Sequence, residues 1–238
     1  MLNVKPMTSI ELNPAEGLRN PASVALPDIR TKVMAGDVSA SLAVHHADIE
    51  AIRLSGAVPE PIAIQFETAR NLYLYAWHVY RFYMVAKVQA LTTLELGLRT
   101  YLPDRLPEPY QRPRQKQPML AGMLGYAIDE GLVRNDGFRR WHEAAERSAR
   151  QRRSFEIVRT MIDQQLEVIE HDEMEPLEIT PEDQRWDLLS VLRESLPHAR
   201  NKLAHGSTTL TNQVLGTIEL VAEILGQLYP TPTNEGQP

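Results

Sequence analysis

The residues best equipped for chemistry lie near the C-terminal end, in the run Leu-Pro-His-Ala-Arg-Asn-Lys-Leu-Ala-His-Gly-Ser from Leu196 to Ser207. Pro197 suits a first helical turn and Gly206 a helix end, so the run reads as a short helix with its own start and stop. On such a helix Asn201 and His205 are four apart and share a face. His198 and His205, seven apart, nearly align, while Arg200 is offset by one residue and Lys202 adds a further supporting cation. An imidazole moves protons onto and off a ribose 2′-hydroxyl and a leaving oxygen. A guanidinium binds phosphate bidentately and stabilises charge in the transition state. The amide of Asn201 orients the phosphate or the histidine. Together these are residue types that metal-free phosphodiester cleavage can use. A scaffold reading fits the same residues: Arg200 pairs with an acid such as Glu95, His205 caps its helix beside Gly206, and His198 sits on the surface.

The elements that must hold this run are helical. From Ile62 to Leu96 there is neither Pro nor Gly, and Phe66, Tyr73, Trp77, Tyr80, Met84, Val88, Leu91 and Leu98 recur at helical steps. Unbroken to Leu102, the segment would run about 60 Å, more than a compact domain spans, so it bends, divides or projects into a partner. Apolar side chains occupy nearly every face around Tyr73 to Val88, which marks burial on several sides. Tyr73, Tyr75, Trp77, Tyr80, Phe82 and Tyr83 read as core or dimer packing in preference to a base-stacking surface. Glu95 falls in phase with Val88, Leu91, Leu98 and Leu102. A carboxylate on an apolar stripe needs a partner, since burying it unpaired costs several kcal/mol. Either Arg200 supplies that partner, with Glu95 positioning the guanidinium, or the stripe rotates and Glu95 is exposed.

Five prolines make Pro103 to Pro118 a loop, and a short helix over about 119–130 follows, ending at Gly131. Phe138 to Glu175 again lacks Pro and Gly, with amphipathic ends and a polar middle from Glu146 to Ser154 that reads as exposed. An acidic loop over 171–183 precedes a helix over about 184–196, the short motif helix, and a closing helix over about 209–228. The first 60 residues, punctuated by five prolines, read as an irregular extension with one short helix from Asp37 to Leu54. No strand-like alternation occurs, so the expected fold is all-α. Its divisions are an extension over 1–60, a helical domain over 61–230 and a disordered tail over 231–238.

The string Arg200-Asn201-Lys202-Leu203-Ala204-His205-Gly206 resembles the R-x4-6-H motif of the HEPN superfamily, including the polar residue directly after the arginine. The order of elements, a long aromatic-rich helix, a middle region and a helix after the motif, agrees with that family over roughly 61–229. The resemblance implies a helical bundle with two long helices, and a two-fold dimer that brings two motifs into one cleft. It implies Arg200 and His205 as catalytic residues, supported by Asn201. For activity it implies a metal-independent endoribonuclease of toxin–antitoxin or other defence systems, with a cognate antitoxin or effector as partner. Other members are catalytically inactive modules for protein or nucleotide binding and assembly, and that reading stands beside the first.

Composition narrows the field. Hydrophobic residues at 43% and charged residues at 24% are ordinary globular usage. The absence of cysteine excludes disulfides, thiolate metal sites and cysteine nucleophiles. No apolar run approaches the roughly 18 residues of a membrane span, and no secretory signal is visible at the N-terminus, so a cytoplasmic protein is expected. No cofactor is expected either: Walker, Rossmann, G-x-S-x-G and H-E-x-x-H signatures are absent, and the adjacent His45 and His46 point apart on a helix. The net charge of −6 does not mark an RNA binder, yet Arg134 to Arg159 holds eight arginines against four acids. That segregation permits a basic face on an acidic protein, with Arg147, Arg150, Arg152 and Arg153 as candidate RNA contacts. A solvated helix face is the plainer reading of the same residues.

Overall fold

The computed structural model describes residues 15–35, 38–111, 118–169, 176–206 and 208–231. Asp37, where the N-terminal helix was expected to start, the opening of the acidic loop at 171–175 and the tail beyond Thr231 lie outside them. The described residues form eight α-helices and no strand: α1 (Ile29–Ala35), α2 (Val38–Glu50), α3 (Glu60–Tyr75), α4 (Phe82–Tyr101), α5 (Leu120–Asp129), α6 (Arg139–Asp163), α7 (Leu188–Ala204) and α8 (Leu215–Leu228). Short 3₁₀ turns precede α5 (Glu108–Tyr110) and α6 (Asn135–Gly137). The fold is an all-α bundle, and no described helix is long and apolar enough to cross a membrane.

The aromatic-rich segment divides. α3 starts on Pro59 and Pro61, whose fixed φ suits a first turn, and runs to Tyr75. A turn over 76–81 then reverses the chain into α4. The two helices are antiparallel: the Tyr73 and Tyr83 rings meet at 5.4 Å, Gln89 donates to Gln65, and Gly97 approaches Ile62. No breaker residue causes the turn. Its backbone groups find partners in the N-terminal region instead, since Asp28 N–H donates to Trp77 O at 3.0 Å and Tyr80 N–H donates to the Asp28 carboxylate at 3.2 Å. The turn lets Tyr73, Trp77 and Tyr83 converge on His45 of α2, whose Nε2 donates to Tyr73 O at 3.0 Å. These rings are buried. Part of the region expected to be apolar on every side is therefore covered by its own chain, while Tyr75 and Val85 remain exposed.

One core runs through the bundle, built from Phe66, Leu91, Leu94, Leu98, Leu124 and Ile224 among others. α4 lies at its centre between α3 and α8, and α5 and α7 close the remaining side. α8 begins at Leu215, later than expected, and buries Ile218, Val221, Ile224, Leu225 and Leu228. Its approach to α4 requires Gly97, where a side chain would run into Leu225, and Tyr229 Oη donates to Gly97 O at 2.9 Å.

Two expectations about helices are corrected. The motif does not sit on a separate short helix, because α7 runs unbroken from Leu188 to Ala204 with Pro197 inside it. The apolar stripe Leu188, Leu192, Leu196, Ala199, Leu203 is continuous across the proline, and its burial outweighs the one hydrogen bond the ring cannot donate. Second, the polar middle of α6 is not simply exposed. Ala145 and Ala149 are buried, and Ser148 and Arg152 bond to the buried Asp183 at 3.0 Å each. Arg147, Arg150, Gln151 and Ser154 are exposed, as are the large apolar Phe155, Val158 and Ile162 of the distal half, and the helix stops at Asp163, with Gln165 in the left-handed region at φ +54°.

Candidate functional site

α7 presents the motif. Asp187 starts the helix by accepting from Ser190 N–H at 3.1 Å, and the Asn135 side chain takes Leu189 N–H at 3.1 Å. Leu188, Leu192 and Leu196 then fix the helix rotation against the core. With that rotation set, two cations reach neighbouring helices. Arg193 donates to Gly125 O at 3.0 Å and pairs with Asp129 of α5, itself bonded by Tyr110 Oη at 2.8 Å. Seven residues on, Arg200 reaches Glu95 of α4: its Nε and Nη2 lie 3.1 and 3.0 Å from Glu95 Oε2.

Glu95 keeps 14% of its side-chain exposure and Arg200 34%, so the pair straddles the surface. Glu95 Oε1 accepts from Arg99 at 3.0 Å, so one carboxylate holds two guanidiniums. The Arg99 contact escaped the sequence reading, although Glu95 and Arg99 have the four-residue spacing of a helical ion pair.

The rest of the motif lies at the helix end. His205 is the C-terminal cap residue of α7, its N–H donating to Asn201 O at 3.1 Å. Gly206 follows at φ +87°, a left-handed conformation that ends helices and favours glycine, and donates to Leu203 O at 3.2 Å. The His205 imidazole is exposed, and no hydrogen bond to it occurs among the described residues. Asn201 is half-buried, while His198 and Lys202 are exposed. The motif therefore offers one guanidinium locked by a carboxylate and, a turn further, one open imidazole. No motif residue lines any of four surface cavities of about 320 to 810 Å³.

The arginine-rich stretch of α6 is largely engaged within the chain. Arg150 pairs with Glu146 at 3.2 Å, and Arg152 pairs with Glu156 at 3.4 Å and Asp183 at 3.0 Å. Arg152, together with the Thr180 N–H and the Thr180 and Ser148 hydroxyls, holds the Asp183 carboxyl well below the usual carboxylate range. Arg153 also has a partner, which leaves Arg147 exposed and without an ion pair among the described residues. Nothing here brings the four arginines and the motif to one shared surface. Arg139 and Arg140 likewise bond to Glu219 and Gly216 and tie α6 to α8.

No protein-family model, curated protein or solved structure matches the chain.

Proposed function

We propose that the chain is a metal-independent endoribonuclease of HEPN type that works as a homodimer. The observation that carries this reading is the arrangement on α7: Arg200 held in place by Glu95, and His205 open to solvent at the helix end one turn away. In the proposed reaction the ribose 2′-oxygen attacks the adjacent phosphorus and the bond from phosphorus to the 5′-oxygen breaks. One His205 takes the 2′-hydroxyl proton, and the same residue of a second copy protonates the departing 5′-oxygen. The exposed edge of Arg200 binds a phosphate oxygen, and Asn201 orients the group beside it. The products are a 2′,3′-cyclic phosphate and a 5′-hydroxyl, with atoms and protons balanced and no metal required. Cytoplasmic RNA as substrate, and a cognate antitoxin or effector protein as the restraint, follow from the family resemblance.

A second reading has its own support. Arg200 is occupied by Glu95 and the motif lines none of the four cavities above, which suits a HEPN-like assembly module that never turns over RNA. End-group analysis of RNA incubated with the protein in EDTA separates the two. Cyclic phosphate termini in wild type, absent with His205→Ala, support the enzyme. Intact RNA with both proteins supports the module.

A further inference from the structure

Beyond Arg152 the helix α6 carries an apolar stripe that nothing in the described chain covers. Phe155, Val158 and Ile162 are 65, 51 and 71% exposed. The steps of three and four residues place these three on one face; Leu166, exposed as well, lies past the end of the helix. Isolated exposed apolar residues are commonplace, but a contiguous stripe of large ones marks an interaction surface.

The borders of the stripe indicate what covers it. On one side lies a second stripe, Arg152, Glu156, Arg159, Asp163, whose charges alternate; on the other lie the uncharged Ser154, Met161 and Gln165. Read in the opposite direction, plus-minus-plus-minus becomes minus-plus-minus-plus. Two copies of the helix laid antiparallel across a two-fold axis therefore set Glu156 against the partner's Arg159 and Arg159 against the partner's Glu156. Arg152 and Asp163 pair likewise at the ends; within one chain Arg152 also reaches Glu156 and Asp183 at 3.4 and 3.0 Å and Arg159 reaches Asp163 at 3.8 Å, so the partner's charges extend existing ion pairs. In the same register Phe155 falls beside the partner's Ile162, and Val158 beside its own copy at the axis. A parallel pairing about a two-fold axis would set the charged border of each helix against the uncharged border of the other and leave these four charges without partners across the seam. A depression of about 370 Å³ along the charged border, lined by Arg152, Phe155, Glu156 and Arg159, gives the partner's side chains room.

We propose that the distal half of α6 is a dimerisation arm that pairs antiparallel with the same segment of a second copy. The inference rests on the two-fold assembly proposed above and assigns it a surface. The nine helical residues from Phe155 to Asp163 span about 13 Å, a contact well short of a standard interface of roughly 800 Å² per partner, so the dimer should be concentration-dependent.

Cross-linking and charge reversal test it on the full chain, which has no native cysteine. Val158→Cys should form an interchain disulfide on mild oxidation, because seam residues of two packed helices bring their Cα atoms within disulfide reach; Val191→Cys, exposed on α7, should not. By light scattering, Phe155→Glu, Glu156→Arg and Arg159→Glu should each weaken the dimer at least tenfold. Mixing Glu156→Arg with Arg159→Glu should restore it as a heterodimer, and the double variant should restore it alone. These side chains are exposed, so the variants should keep the wild-type circular dichroism. A wild-type dimer that survives all three variants without a Val158 cross-link overturns the arm and leaves the two-fold reading intact. A wild-type monomer at high micromolar concentration overturns both, whereas RNA cleavage, assayed in parallel, reports on the enzyme reading by itself.

Discussion

Glu95 accepts from Arg200 on one oxygen and from Arg99 on the other. Its removal frees both cations, and because Arg200 keeps a third of its exposure, water compensates part of the loss. Glu95→Ala should destabilise by about 1–2 kcal/mol, between the ~0–1 of an exposed pair and the ~3–5 of a fully buried one; urea denaturation measures it. If Glu95 positions Arg200 for the reaction, cleavage falls about tenfold in Glu95→Ala, roughly 1.4 kcal/mol of transition-state stabilisation. Glu95→Gln, which still accepts from Arg200, should recover part of that rate. A purely structural role would lower stability and leave the rate per folded molecule unchanged. His45 gives a pH signature. Burial holds its imidazole below the ordinary value of 6.5, against the opposing pull of the Tyr73 carbonyl. The unfolded chain takes up the proton first as pH falls, so the stabilisation is present above about pH 6.5 and is lost as pH drops through the folded value. Thermal unfolding should shift downward between pH 7.5 and 5, and His45→Phe should flatten that slope; an unchanged slope would place the titration elsewhere. Glu95 could be singled out from sequence because a carboxylate interrupted an apolar stripe. His45 could not, since only the turn after α3 brings Tyr73, Trp77 and Tyr83 around it.

At the scale of elements, periodicity carried most of the fold. The all-helical class, α5, α8 and the helical character of 62–101 all follow from apolar spacing, and the prolines of 103–118 from backbone chemistry. Three features resisted. The turn over 76–81 holds no breaker and depends on Asp28, some fifty residues away. α1 lies among prolines without a sustained apolar period. The continuity of α7 through Pro197 reflects tertiary burial overriding a local stop signal, and it matters for the site because one rigid helix now carries Arg193, Arg200 and His205 together. The meeting of α4 with α8 supplies a test of packing. In Gly97→Ala the new methyl meets the end of the Leu225 side chain, which is fully buried. Overpacking of this kind costs about 1–3 kcal/mol, measurable as a drop in urea midpoint at constant m-value. An unchanged midpoint would show that α8 can shift away from α4.

For the whole molecule, the case for two copies has moved. Tyr73, Trp77 and Tyr83 are covered by their own chain, although Tyr75 and Val85 stay exposed, while the distal half of α6 carries an exposed stripe of Phe155, Val158 and Ile162. Under the proposed reaction a partner is called for by chemistry: the Arg200–Gly206 motif supplies one imidazole, while cleavage would need a base and an acid at once, and isologous dimers are the commonest way to double a residue. Mixing Arg200→Ala with His205→Ala subunits should restore measurable cleavage if one site draws on both chains. No recovery would mean that each chain needs its own complete motif. The central claim, that His205 on α7 moves protons in RNA cleavage, has a more direct test. Pure protein is incubated with total RNA in EDTA, and the initial rates of wild type and His205→Ala are compared. A positioned acid–base group is worth about 10²–10⁴ in rate, so cleavage should persist in EDTA and fall at least a hundredfold in the variant. Equal rates for the two proteins, or no cleavage by wild type, would contradict the account.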